Sequence, residues 1–119
     1  MKCEKLDVWK RAYRLSVDMY KHFDKSREFG FKDQITRSAL SVGSNIAEGM
    51  EKEYLAENLR FLEISKGSVA ELITQLYIGI EAGFIERSDG LAWVKESNEI
   101  LKMIKGLQHH IGQKVKDAK

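Results

Sequence analysis

Apolar residues recur along this chain every three to four positions, with few alternating runs, so the pattern predicts helices rather than strands. A first helix is expected over Asp7–Phe23, N-capped by Asp7 and burying Leu6, Trp9, Tyr13, Val17, Tyr20 and Phe23. Because Trp and Tyr share that stripe with aliphatic residues, it assigns them to the core rather than to base stacking. Asp24–Gly30 breaks the pattern and ends in Gly, as a helix–helix connection does. A second helix follows from about Phe31 to Gly49, where the charged run Glu51-Lys52-Glu53 marks an end or a kink. The third, Tyr54–Gly83, has Leu55, Leu59, Leu62, Val69, Leu72, Leu76 and Ile80 as its stripe. Gly67 and Gly79 inside it point to close approach by a neighbouring helix, or to a bend. Ser88 or Asp89 caps the fourth, with Leu91, Val94, Asn98, Leu101, Ile104, Ile111 and Val115 inward and a fraying tail over Lys114–Lys119. Short connections between four helices predict an all-α, antiparallel up-and-down four-helix bundle, one domain over residues 1–119.

The segment Arg37–Gly49 departs from an ordinary surface helix. At 100° per residue, Arg37, Ser41, Asn45 and Glu48 fill one polar arc, and Ile35, Ala39, Val42 and Ile46 an apolar one. Leu40, Gly43 and Ala47 make a third arc of mostly small residues. So little hydrophilic surface predicts cover on more than one side. The polar arc, joined by Ser68 and Glu71 of the third helix, is read as a hydrogen-bonded network that fixes register. The small-residue arc suits close packing inside the bundle or at a subunit interface.

Composition narrows the class. There is no proline, which favours uninterrupted helices, and the single Cys3 excludes an internal disulfide and fits a reducing compartment. No apolar run is long enough to span a membrane and no signal peptide is evident, so the expectation is a soluble, cytoplasmic protein without membrane association. Net charge is only +2, but residues 1–37 carry ten Lys/Arg against six Asp/Glu, residues 38–100 five against eleven, and residues 101–119 five against one. Basic ends and an acidic middle serve either mutual attraction or a nucleic-acid surface.

Catalysis finds no support. His22, His109 and His110 follow no Glu or Asp by three positions, as a di-iron site requires, and no zinc pattern is present. No Arg precedes a histidine at ribonuclease spacing, and Ser38, Ser41, Ser44, Ser65 and Ser68 have no histidine in their helix. The expectation is a non-enzyme without cofactor or metal. Nucleic-acid binding survives: Lys10, Arg11 and Arg14 cluster on the first helix and Lys21, Lys25 and Arg27 extend the patch, which implies weak, sequence-independent phosphate contacts.

Leu6-Asp-Val-Trp9, Gln34-Ile-Thr-Arg37, Ser44-Asn-Ile-Ala-Glu-Gly49, Gly67-Ser-Val-Ala-Glu-Leu72, Thr74-Gln-Leu76 and Gly83-Phe-Ile85 resemble the four-helix-bundle ribosomal-RNA intervening-sequence proteins, over about residues 5–111. The chain departs from that pattern at Gly43, where many members carry proline, and at Ser38. The resemblance extends to accessory proteins of diversity-generating retroelements, which form pentameric rings and bind nucleic acid and a reverse transcriptase. It implies a homopentamer, possible RNA, DNA or protein partners, and no catalytic residues. It also implies structural or interfacial roles for Arg37, Ser44, Asn45, Glu48 and Gly49. The rival reading is a protein-interaction scaffold or accessory subunit that binds no nucleic acid.

Overall fold

A computed structural model describes residues 1–118. A 3-10 turn, Lys2–Lys5, precedes four α-helices: α1 Asp7–His22, α2 Phe29–Met50, α3 Leu55–Ala82 and α4 Arg87–Asp117. Each helix packs on its neighbour in the chain and α4 returns to α1, while among the described residues no diagonal pair of helix backbones comes close, so the four stand roughly at the corners of a square. The bundle is 52 Å long and about 21 Å across.

Buried aliphatic residues from every helix meet along the axis, among them Leu15, Met19, Ile35, Ile46, Leu72 and Ile104. The α1 core differs from the expected stripe. Val8, Ala12, Leu15, Met19 and Phe23 face inward, whereas Trp9 and Val17 are half-buried and Tyr13 and Tyr20 exposed. Two apolar stripes lie side by side on this helix, and the bundle buries only one. In α4 the inward positions are Gly90, Val94, Ser97, Ile100, Ile104 and Ile111; Leu91 and Asn98 face out.

The ends also shift. Leu6 rather than Asp7 is the N-cap of α1, Glu86 rather than Ser88 or Asp89 that of α4, and α4 runs through Asp117 instead of fraying from Lys114. Lys119, the last residue of the expected tail, lies outside the described residues. Helix α2 begins at Phe29, two residues before the expected start, and ends outright at Met50 rather than kinking. Gly83 closes α3 with φ 82°, a left-handed turn that lets Phe84 N–H and Ile85 N–H return to the Gly79 carbonyl at 2.9 and 3.1 Å.

Candidate interaction surfaces on α1 and α2

The three arcs read from Arg37–Gly49 meet three different neighbours. Ile35, Ala39, Val42 and Ile46 are fully buried in the core. The small arc faces α1: a Cβ added at Gly43 would stand 3.7 Å from the Ala12 Cβ. The polar arc divides. Ser41 and Ser68 hydroxyls hydrogen-bond at 2.8 Å, and Asn45 Nδ2 donates to the Ser41 carbonyl at 2.8 Å and its hydroxyl at 2.9 Å. Separately, the Ser38 hydroxyl donates to Glu71 at 2.8 Å. Arg37 and Glu48 do not join the expected network. Both point to solvent, and Arg37 instead pairs with Asp33 one turn back, at 2.9 Å. An outward position costs a charge nothing in desolvation, which the interior would have charged heavily.

Two polar side chains outside the expected network do more to join α2 and α3. The fully buried Ser65 hydroxyl donates to the Val42 carbonyl at 2.8 Å. Buried Asn58 donates to the Gly49 carbonyl, which also accepts from Lys52 N–H, and, at 3.1 Å, to the Lys52 carbonyl in the turn after α2. Gly49 itself is a contact glycine, since a Cβ there would sit 2.9 Å from the Phe61 Cβ. A small polar residue on the apolar side of α3 was the available signal for Ser65.

Between α1 and α2 the unburied stripe opens a groove of about 470 Å³. Trp9, Tyr13, Val17 and Tyr20 form one wall; Leu40, Gly43, Ser44 and Ala47 form the other. Tyr13, Tyr20 and Leu40 are 53%, 46% and 49% exposed. Trp9 and Tyr13 rings stand 5.4 Å apart. The lining is mostly apolar and brings no convergent set of polar groups, so it suits a protein surface better than a small polar ligand.

The six first-helix cations do not form one surface. Lys10, Arg14 and Lys21 are exposed on one side of α1, with Lys25 and Arg27 exposed in the loop that follows. Arg11 turns the other way, toward α4. Its Nε donates to Glu96 at 2.9 Å, its Nη2 to both Glu96 and Glu99, and its Nη1 to the Met103 sulfur at 3.4 Å. These bonds, Glu96 first and Glu99 second, hold the guanidinium charged well above its ordinary range. The Arg11 bond holds the Glu99 carboxyl below the ordinary carboxylate range. Arg11 is therefore a strut between helices rather than a free cation. Sequence spacing had no means of separating it from Lys10.

Among the described residues no cluster of three His, Cys, Asp or Glu side chains could hold a metal, and no helix is long and apolar enough to cross a membrane. His109 and His110 are exposed.

Residues 4–106 match the family model described as 23S rRNA-intervening sequence protein. The chain belongs to this family. A solved structure from Bacteroides thetaiotaomicron, described as a protein with unknown function from the S23 ribosomal protein family, is similar at 26% identity and a TM-score of 0.80. The match covers 85% of this chain and 97% of that one. No curated protein matches. As an intervening-sequence family member the chain has the expected all-α bundle. Within that match, the stretch Val42–Gly49 of α2 touches both α1 and α3.

Proposed function

We propose that this intervening-sequence family protein is a non-enzymatic, cytoplasmic homo-oligomer, a ring of five copies joined through the α1–α2 groove, that binds RNA or DNA weakly and without sequence specificity. The exposed apolar stripe carries the reading: Tyr13, Tyr20 and Leu40 flank a floor of Gly43 and Ala47 small enough for another helix to approach closely. A contiguous apolar surface of this kind marks a protein contact. The count of five comes from the resemblance to retroelement accessory proteins. Nucleic-acid binding is supported by the exposed cations Lys10, Arg14, Lys21, Lys25 and Arg27 and by the basic C-terminal stretch. In a ring each weak patch is repeated, so avidity raises its effect.

Light scattering on the purified protein tests the assembly. The expected mass is five times 13.7 kDa. A monomer at micromolar concentration removes the reading. Leu40→Glu is the matching variant, since its side chain is half in solvent and a carboxylate there leaves the core intact while charging the groove. It should lower the mass with no loss of helicity. The apolar floor also favours a second reading, a scaffold that seats a helix of another protein and touches no nucleic acid. Failure to retain a labelled duplex at low salt, with the oligomer intact, selects the scaffold.

A further inference from the structure

Helix α4 carries a row of cations separate from those of α1. Lys95, Lys102, His109 and Lys116 stand seven residues apart, and all four are exposed. Positions seven apart are two turns on and drift only about 20° around a helix. Lys105 is exposed beside them. From Lys95 to Lys116 the row extends about 32 Å at roughly 1.5 Å per residue. Between Ile100 and Lys116 there are four lysines and no carboxylate.

Nearby carboxylates other than the exposed Asp117 beside Lys116 are already engaged. Glu96 and Glu99 turn to the α1 side of the helix, where Arg11 holds them, with Glu99 still close enough to Lys95 and Lys102 to feel both charges. Glu63, which α3 sets against this stretch, accepts from Gln108 at 3.0 Å and pairs with Lys66 at 2.9 Å. Lys95, Lys102, Lys105 and Lys116 are in no ion pair among the described residues. The row has no Trp, Tyr or Phe, its one ring being the small His109 imidazole, and Trp93, the one Trp of α4, is half-buried against His22. Single strands gain affinity by stacking bases on exposed aromatic rings. The lysines that make up most of the row offer phosphate contacts alone.

We propose that this face of α4 is a phosphate track that holds the backbone of duplex nucleic acid. The inference rests on the nucleic-acid reading above and moves the main contact away from α1. Lys21 lines the α1–α2 groove, so a second copy seated there covers it and crowds Lys10 and Arg14 on the same side. The α4 row lies clear of that groove.

The test is fluorescence anisotropy of the full chain with a DNA duplex of about 20 base pairs, and with one of its strands alone, between about 50 and 200 mM salt. Three variants are compared: Lys95→Gln with Lys102→Gln, Lys105→Gln and Lys116→Gln; the same four positions changed to Arg; and Lys10→Gln with Arg14→Gln and Lys21→Gln. Four phosphate contacts predict that wild-type affinity falls about 100-fold over that range, a slope contribution of about 0.9 per lysine. The α4 Gln variant should lose most of that slope, the Arg variant should keep it, and the α1 variant should keep at least half. Circular dichroism should show all three folded, since every substituted residue is exposed. Duplex binding unaffected in the α4 Gln variant but lost in the α1 variant overturns the track and leaves nucleic-acid binding standing. Tighter binding of the single strand than of the duplex also overturns it. No binding of either probe by wild type at low salt overturns both readings.

Discussion

Asn58 is where a single side chain holds two helices in register. It is buried, and its amide donates to the Gly49 carbonyl, shared with Lys52 N–H, and to the Lys52 carbonyl just past the end of α2. Asn58→Leu removes both bonds and leaves the Lys52 carbonyl without this donor, so it should cost about 1–3 kcal/mol, read as a lower urea midpoint at unchanged slope. Asn45→Leu should cost no more than about 1 kcal/mol, because Asn45 is only half-buried and bonds within its own turn of α2. Equal losses would mean that burial does not set the hierarchy. Glycines separate in the same way. A Cβ at Gly49 meets the Phe61 Cβ, which is tied to its backbone and has little room to yield, so Gly49→Ala should destabilise by about 1–3 kcal/mol. Nothing lies within 4 Å of a Cβ at Gly67, in the middle of α3 and exposed, so Gly67→Ala should stabilise by about 0.5–1 kcal/mol. The sequence offered Gly67 and Gly79 as equivalent close-approach positions. Only Gly79 is one, with Ile85 and Phe31 side chains against it.

At the scale of the helix, α1 is held to α4 by Arg11 as well as by apolar packing. Glu99 is held below its ordinary carboxylate range by Arg11, so it binds fewer protons folded than unfolded in the acid range. Such a group adds stability above its unfolded value, and that stability disappears as pH falls through the folded value. Arg11→Gln should therefore lower the melting temperature at pH 7 and flatten its decline on acidification to about pH 3. A decline as steep as wild type would show that Glu99 owes nothing to Arg11. Much of this level was legible beforehand. Helical periodicity located all four elements within a few residues, and the arcs of Arg37–Gly49 separated core, α1-facing and α3-facing sides. On α1 the inference failed because two apolar stripes fit the same periodicity. Aromatic size favoured Tyr13 and Tyr20, yet a helix beside short α2 side chains needs Ala12 and Ser16 at the contact. Pairing across α1 and α4 was not legible at all. It depends on which exposed-looking Arg faces which Glu some 85 positions away.

For the whole molecule, closing a ring imposes a condition that the groove alone does not meet. A ring requires head-to-tail contacts, in which the groove of one copy meets a different patch on the next. A pairing of groove with groove stops at two copies. The α2 side of α3 supplies a second candidate contact, where Ile64 and Ile78 are exposed about 21 Å apart at roughly 1.5 Å per residue, and the buried Gln75 Oε1 between them has no partner among the described residues. That face and the α1–α2 face share α2, so they do not point in opposite directions, and successive copies turn toward closure rather than along a filament. Ile64→Glu with Ile78→Glu should then block self-association as Leu40→Glu does, by spoiling the opposite partner of the same contact. The two variants are complementary. Leu40→Glu keeps the α3 patch, and the double variant keeps the groove, so a mixture retains one intact contact per pair. Light scattering of the equimolar mixture should give a one-to-one dimer of about 27 kDa, twice the 13.7 kDa chain. Two monomers that ignore each other would place the second contact elsewhere. Self-association surviving in the double variant alone would mean that groove meets groove.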